Sequence, residues 1–168
     1  MAQLLLPDPE IRLAAMEALA WIADDWPHDG ALLALMGQLE NHNPLTRQSA
    51  VRALSRLMEG CSEHAVEAVG RLMAHPMQGV RQSATQLLMH VKKGNSQAIA
   101  SLASCLEHSD WQVRRDAMRT LVQVVDKGDA FAVAAVQSRL KHPEAHVRCA
   151  AEEALKWVQT GGEGMCWL

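Results

Sequence analysis

The chain has 168 residues, 49% of them apolar, with 16 basic and 19 acidic side chains. That apolar share is enough for one continuous core and excludes a disordered chain, while a net charge of −3 excludes a protein built as a whole to neutralise phosphate or anionic lipid. One Phe and no Tyr accompany an apolar content carried by Ala, Leu, Val and Met, a balance that favours helices packed on helices over sheets.

Residues 1 to 7 read as the last turn of a helix, because Leu4 stands eight before Arg12 as Leu39, Met73, Leu106 and Leu140 stand eight before Arg47, Arg81, Arg114 and Arg148. The chain is therefore expected to begin inside a repeat. Leu4-Leu5-Leu6 before Pro7 is far shorter than a signal-peptide core or a membrane span, which points to a reducing, soluble compartment. Cys61, Cys105, Cys149 and Cys166 form no C-x-x-C pair and are expected as free thiols.

Residues 8 to 23 predict the first full helix, ended by Asp24-Asp25-Trp26-Pro27-His28-Asp29-Gly30. After that break each unit reads as a helix A (about 30–41, 62–74, 96–107 and 129–141) followed by a helix B (about 44–58, 78–92, 110–125 and 144–159). Gly60, Gly94, Gly128 and Gly161 follow the B helices and are expected as left-handed caps, with Ser62, Asn95 or Ser96, and Asp129 as N-caps of the next A helices. Gly161 also opens a tail, residues 161–168, with three glycines and an apolar end; residues 1–160 are expected to form the folded domain.

The B helices share a frame of arginine, alanine three later and leucine seven later. It fits Arg12/Ala15/Leu19, Arg47/Ala50/Leu54, Arg81/Ala84/Leu88, Arg114/Ala117/Leu121 and Arg148/Ala151/Leu155, with steps of 35, 34, 33 and 34 residues. A fixed period in this range marks a solenoid, in which each unit buries its apolar face against its neighbours. Val113, Ala117, Leu121 and Val124, like Val147, Ala151, Ala154, Leu155 and Val158, fall on one helical stripe and are the expected core.

With Leu106, Asp110-Trp111-Gln112-Val113-Arg114-Arg115-Asp116-Ala117 and Leu121, and with Leu140, Pro143-Glu144-Ala145-His146-Val147-Arg148-Cys149-Ala150-Ala151 and Leu155, the units resemble short HEAT repeats of the phycobilisome-lyase-like HEAT family. The resemblance covers residues 4 to 159 and implies an all-α, right-handed α-α superhelix of about five two-helix units, the first incomplete. The acidic residue that the family often carries six before the arginine is Leu6, Asn41, His75, His108 and His142 in this chain.

The column Arg12, Arg47, Arg81, Arg114 and Arg148 reads as a structural ladder, since a planar guanidinium can tie several acceptors of adjacent turns where an ammonium could not. Asp8, Asn43, Asp110 and Glu144, four before the arginines, are the expected acceptors. His75, His108 and His142 recur at one position, but helix layers stand about 8–10 Å apart and a shared zinc ion would need nitrogens at about 2.0–2.1 Å. They are expected to bond local backbone. None of the eight histidines is followed by glutamate, which removes the His-Glu iron ligands of deoxyhypusine hydroxylase, and His142-Pro143-Glu144 lacks the Pro-Cys-x-x-Cys of a zinc deaminase. No catalytic residue, metal or cofactor is predicted. Trp21 and Trp157, nine after their arginines, are read as packing at the two ends of the stack.

The expected function is a non-catalytic scaffold that binds a protein or peptide on a concave row of B helices. The partner-binding residues are Gln48, Arg52, Ser55, Arg56, Gln82, Gln86, Met89, His90, Arg115 and Arg119. In the three central units Arg52, Lys93, Arg115 and Arg119 outweigh Glu59 and Asp126, so this face suits an acidic or carbonyl-rich segment. Two alternatives stand beside it. The resemblance alone implies an accessory subunit of a bilin lyase or similar tetrapyrrole-handling enzyme. Nucleic-acid binding along the groove is the other, set back by equal numbers of acidic and basic residues on the concave columns of the five B helices. Ile11, Met16, Ala18, Trp21 and Ile22, with little of a preceding unit to cover them, predict self-association through the N-terminal end.

Overall fold

The computed structural model describes residue 15, residues 29–60 and residues 63–161. Arg12, the first helix with Trp21, the N-terminal self-association surface, Ser62, Cys61 and the tail beyond Gly161 lie outside the described residues. Among the described residues from 29 on, eight α-helices follow in order: α1 (Asp29–Leu39), α2 (Pro44–Gly60), α3 (Glu63–Leu72), α4 (Gln78–Leu88), α5 (Ser96–Cys105), α6 (Trp111–Val124), α7 (Ala130–Gln137) and α8 (Ala145–Thr160), with a 3-10 turn at Ser138–Lys141. The chain is an all-α solenoid. Helices α3, α5 and α7 pack side by side in one layer, and α2, α4, α6 and α8 in a second; α1 packs on α2, α5 on α6 and α7 on α8.

The stripe read from the arginine frame is the core. Val113, Ala117, Leu121 and Val124 on α6 are buried, as are Val147, Ala151, Ala154 and Val158 on α8, with Leu155 partly covered. Alanine three after the arginine is fully buried on α2, α4, α6 and α8 (Ala50, Ala84, Ala117, Ala151), where a small side chain lets the paired A helix come close. The A layer has its own close approach. A Cβ built on Gly70 of α3 would lie 2.4 Å from the Cβ of Ser101 on α5, so only glycine fits there.

The arginines close each A-to-B turn, though not through the side chains four residues before them. Arg47 Nη1 donates to the carbonyls of Asn41 and His42 at 2.8 and 2.9 Å, and Arg114 Nη1 to those of His108 and Ser109 at 2.7 Å each. Arg148 Nη1 donates to His142 and Pro143 at 2.8 and 2.6 Å, and Arg81 Nη1 to His75 and Pro76 at 3.0 Å each. The acceptors are backbone carbonyls left without helical partners at the turn. Asn43 and Asp110 are engaged otherwise, accepting from Leu45 N at 3.0 Å and Gln112 N at 2.8 Å as the first turns of α2 and α6 begin. Glu144 makes no cap hydrogen bond, and its carboxylate lies 3.1 Å from His146 Nδ1.

The column six before the arginine completes the turn. His75, His108 and His142 each accept at Nδ1 from the backbone N–H two residues on, at 3.1, 3.0 and 3.2 Å. Asn41 Oδ1 does the same for Asn43 N at 2.9 Å. An imidazole nitrogen thus fills the acceptor role that a short carboxylate or amide can fill.

Of the four glycines, only Gly161 caps a B helix in the left-handed conformation, at φ 68°. Gly60 is the last residue of α2. Gly94 and Gly128, at φ 76° and 73°, lie in the loops ahead of α5 and α7, where their N–H groups donate to the carbonyls of Val124 and Val158 at 2.9 Å each. Each loop therefore covers the end of the following unit's B helix. Asn95 and Asp129 then cap α5 and α7 by accepting from Ala98 N and Ala132 N.

Gly70→Ala should destabilise the protein by about 1–3 kcal/mol in urea unfolding, because overpacking against Ser101 outweighs the helix-propensity gain of about 1 kcal/mol. Adding Ser101→Gly should recover part of the loss, giving a double variant more stable than the sum of the single changes; strict additivity would refute the close contact. In the turns, His108→Asn should hold stability within a few tenths of a kcal/mol, whereas His108→Ala should lose about 1 kcal/mol for the unpaired Asp110 N–H. Equal losses would remove the acceptor role.

Candidate functional site

Because the B helices lie side by side, their outward faces enclose three open grooves in succession. Between α2 and α4 a groove of about 240 Å³ is lined by Pro44, Leu45, Arg47 and Gln48 against Gly79, Gln82, Ser83 and Gln86. Between α4 and α6 one of about 540 Å³ sets Gln78, Gln82, Thr85 and Gln86 against Arg115, Asp116, Arg119, Thr120 and Gln123. Between α6 and α8 one of about 470 Å³ sets Trp111, Arg114, Arg115, Met118 and Arg119 against His146, Cys149, Ala150, Glu153 and Trp157. On each helix these residues stand one turn apart, so adjoining grooves share a wall.

The first two grooves are amide-rich. Glutamine offers both donor and acceptor, which lets one side chain pair with either edge of a bound peptide unit. The two walls of the second groove are tied by Thr85 and Thr120, whose hydroxyl oxygens are 3.2 Å apart, and Thr120 donates to the Asp116 carbonyl at 2.8 Å. Asp116 belongs to the arginine ladder: its Oδ2 accepts from Arg81 Nε at 2.9 Å, and Arg81 is 1% exposed. Gln112 adds a longer contact to Arg81 Nη2 at 3.4 Å.

The third groove differs in chemistry. Trp111 is 56% exposed, and the Arg115 guanidinium carbon stands over its ring at 4.7 Å from the centroid. Arg115 Nε also lies 4.0 Å from Asp116 Oδ1, so the guanidinium is held between an aromatic face and a carboxylate. Trp157, half-buried, packs against the core and forms part of the opposite wall. Cys149 is exposed there, beside His146.

Of the residues singled out from the sequence, Gln48, Gln82, Gln86, Arg115 and Arg119 come together along the grooves. Arg52, Met89 and His90 are exposed but line none of the three, and the Ser55 hydroxyl donates to the Arg52 carbonyl at 2.9 Å. The Arg56 side chain lies outside the described residues. Sequence reasoning passed over Trp111 and Met118. The signal for the first was present, since Trp111 and Arg115 are four apart on one helix and such pairs face each other. No helix among the described residues is long and apolar enough to cross a membrane.

Comparison with known proteins places these features. A family model described as HEAT repeats matches residues 1–89 and 66–156. A search of curated proteins gives no match. Among solved structures, the MAST/Orbit N-terminal domain is 21% identical, with a TM-score of 0.54 over 95% of this chain and 82% of that one. The complex of CpcE and CpcF of phycocyanin lyase from Nostoc sp. PCC7120 is 24% identical, with a TM-score of 0.48 over 95% of this chain and 63% of that one. A HEAT-like repeat protein from Thermococcus onnurineus NA1 is 16% identical, with a TM-score of 0.45 over 88% and 60%.

The two described cysteines should react very differently. Burial pushes the Cys105 thiol up to about 11, with the Ser104 hydroxyl and the Arg139 charge offsetting only part of the shift. Since the thiolate is the nucleophile, iodoacetamide at pH 8 should label exposed Cys149 and leave Cys105 unmodified until the protein is unfolded, as read by peptide mass mapping. Labelling of both at equal rates in the folded state would contradict the burial of Cys105.

Proposed function

The chain belongs to the HEAT-repeat family, and on that premise we propose that it is a non-catalytic scaffold holding another protein or peptide across its B helices, the concave side of the superhelix. The observation that carries this reading is the run of three adjoining grooves along α2, α4, α6 and α8, lined by long amide and guanidinium side chains. A row of shallow grooves spreads contact over many residues, as an interface requires, and does not enclose a small substrate as a catalytic pocket does. In the third groove His146 Nδ1 lies 3.1 Å from Glu144 Oε2, which orients the ring toward its own helix end.

Charge narrows the partner. Arg115 and Arg119 line the second and third grooves beside the carboxylates of Asp116 and Glu153, Arg52 is exposed next to them, and the amides of Gln48, Gln82 and Gln86 are neutral hydrogen-bonding groups, so an extended segment that offers backbone carbonyls and carboxylates is the complement this reading favours. Arg115 and Arg119, one turn apart, suit a single carboxylate.

The test is capture with the tagged chain as bait, followed by the Arg52→Ala/Arg115→Ala/Arg119→Ala variant with its helicity checked by circular dichroism. A specific partner should bind the variant at least about tenfold more weakly, the loss expected when interface arginines are truncated. Equal binding of an identified partner by the variant would overturn the assignment to this face.

A further inference from the structure

The arginine ladder has one rung that the protein completes itself and one that it leaves open. Arg81 commits Nη1 to the two turn carbonyls, and the other edge of its guanidinium is met by the next unit: Nε donates to Asp116 Oδ2 at 2.9 Å, and Nη2 reaches Gln112 Oε1 at 3.4 Å. Arg47 commits Nη1 in the same way. In the unit that follows it, the residues matching Asp116 and Gln112, two after and two before the next arginine, are Ser83 and Gly79.

The packing keeps that register. The Arg47 guanidinium lies over Gly79, with Nη2 2.5 Å from where a Cβ would stand. Ser83 turns its hydroxyl to the Gly79 carbonyl at 3.0 Å. Among the described residues, Nε and Nη2 of Arg47 therefore have no acceptor. Resting on the scaffold reading, we propose that the first groove, between α2 and α4, seats an aspartate or glutamate side chain of the bound segment. Its carboxylate takes Nε and Nη2 of Arg47, in the place that Asp116 holds against Arg81.

The chemistry of the groove selects this ligand. Two parallel N–H groups on one guanidinium edge match the two oxygens of a carboxylate. Arg47 is the one charged side chain among the residues lining the groove, so a monoanion balances it, whereas a phosphate chain needs a continuing track of cations. Leu45, 57% exposed, borders the groove with apolar surface for the methylenes of the acid, and Gln48 and Gln82 offer amides to the backbone on either side. Access differs as well: Arg47 is partly exposed, whereas Arg81 beneath Asp116 is 1% exposed. At Arg114 the two matching places hold His146 and Ala150, so a ring stands where Gly79 leaves bare backbone.

The experiment is an NMR titration of the isotope-labelled full chain that follows the Arg47 Nε–Hε signal. The probes are the blocked tripeptide acetyl-Gly-Glu-Gly-amide, its Gln counterpart, glutarate and inorganic phosphate. The Glu peptide should move the signal saturably and bind at least about tenfold more tightly than the Gln peptide, the difference expected for a charge-assisted pair. It should also bind more tightly than glutarate or phosphate. Arg47→Ala would open the turn, so the informative change is Ser83→Asp, which writes the carboxylate of the neighbouring rung into the first groove. That variant should keep its helicity, shift the Arg47 signal without any ligand, and bind the Glu peptide about tenfold or more weakly. Ser104→Asp, which adds the same charge on the exposed side of α5, should bind as wild type.

An Arg47 signal that stays in place, equal affinity for the Glu and Gln peptides, or unchanged binding by Ser83→Asp would overturn the proposal. Tighter binding of glutarate or phosphate would overturn the assignment to a peptide side chain. A captured partner that is lost in the Arg52→Ala/Arg115→Ala/Arg119→Ala variant yet binds Ser83→Asp unchanged would overturn the subsite and leave the scaffold standing. Unchanged binding of the partner by both variants would overturn both.

Discussion

One guanidinium nitrogen bonding two consecutive carbonyls, at the turn where an A helix hands over to its B helix, is the interaction on which the architecture depends. It recurs at Arg47, Arg81, Arg114 and Arg148 with donor–acceptor distances from 2.6 to 3.0 Å. A helix end leaves carbonyls without partners, and a solenoid has such an end in every unit. Hydrogen bonds from a charged donor are worth about 1.5–3 kcal/mol each, against a cost of about 1–3 kcal/mol for an orphaned buried acceptor. The clamp therefore decides how tightly the turn closes. It also explains why the column holds arginine throughout in a chain that uses lysine elsewhere: the stem must lie along its helix while the planar head meets acceptors in fixed directions.

The same arginine serves different neighbours from unit to unit. Arg81 alone, among the described residues of the column, extends an ion pair into the next unit, through Asp116 and the longer contact to Gln112. Arg47 has no carboxylate at the matching position, where Ser83 stands, and its guanidinium instead fills the space over Gly79; a Cβ there would lie 2.5 Å from Nη2. Between α6 and α8, where the carboxylate is absent, units are joined by apolar packing and by the loop bond from Gly128 to the Val158 carbonyl of α8. A buried ion pair such as Arg81 with Asp116 adds little net stability over an apolar contact of equal size, because both charges lose water. Its effect is to hold α4 and α6 in one register.

The period of the arginines, and the apolar stripe hung on it, were legible in the sequence because burial imposes the same demand at the same helical phase in every unit. The errors have one origin. Asn43, Asp110 and Glu144 look like arginine acceptors because side chains are visible in a sequence and backbone carbonyls are not. Gly94 and Gly128 look like B-helix caps because they follow those helices; their left-handed turns in fact shape the loop that covers the next B helix, a long-range contact without a local signature. Trp111 was hidden differently. A large apolar residue within a helical pattern is usually core, and only the packing of α6 beside α8 reveals it as 56% exposed and stacked on Arg115.

Core packing and surface chemistry occupy separate columns of one repeat. The residues the architecture constrains, at the arginine and three and seven after it, hardly vary from unit to unit. One after the arginine the chain places Gln48, Gln82, Arg115 and Cys149, and five after it Arg52, Gln86, Arg119 and Glu153. Most of these positions are exposed, with Arg115 and Arg119 partly covered, and exposed positions change stability by no more than about 0.5 kcal/mol when substituted, so packing constrains them least. Yet they are ordered: amides over α4, cations over α6, a carboxylate over α8. Such a progression along adjoining grooves gives the surface a direction, from amides over α4 to a carboxylate over α8. Stacking identical cores supplies the length of the surface, and the unconstrained columns supply its polarity.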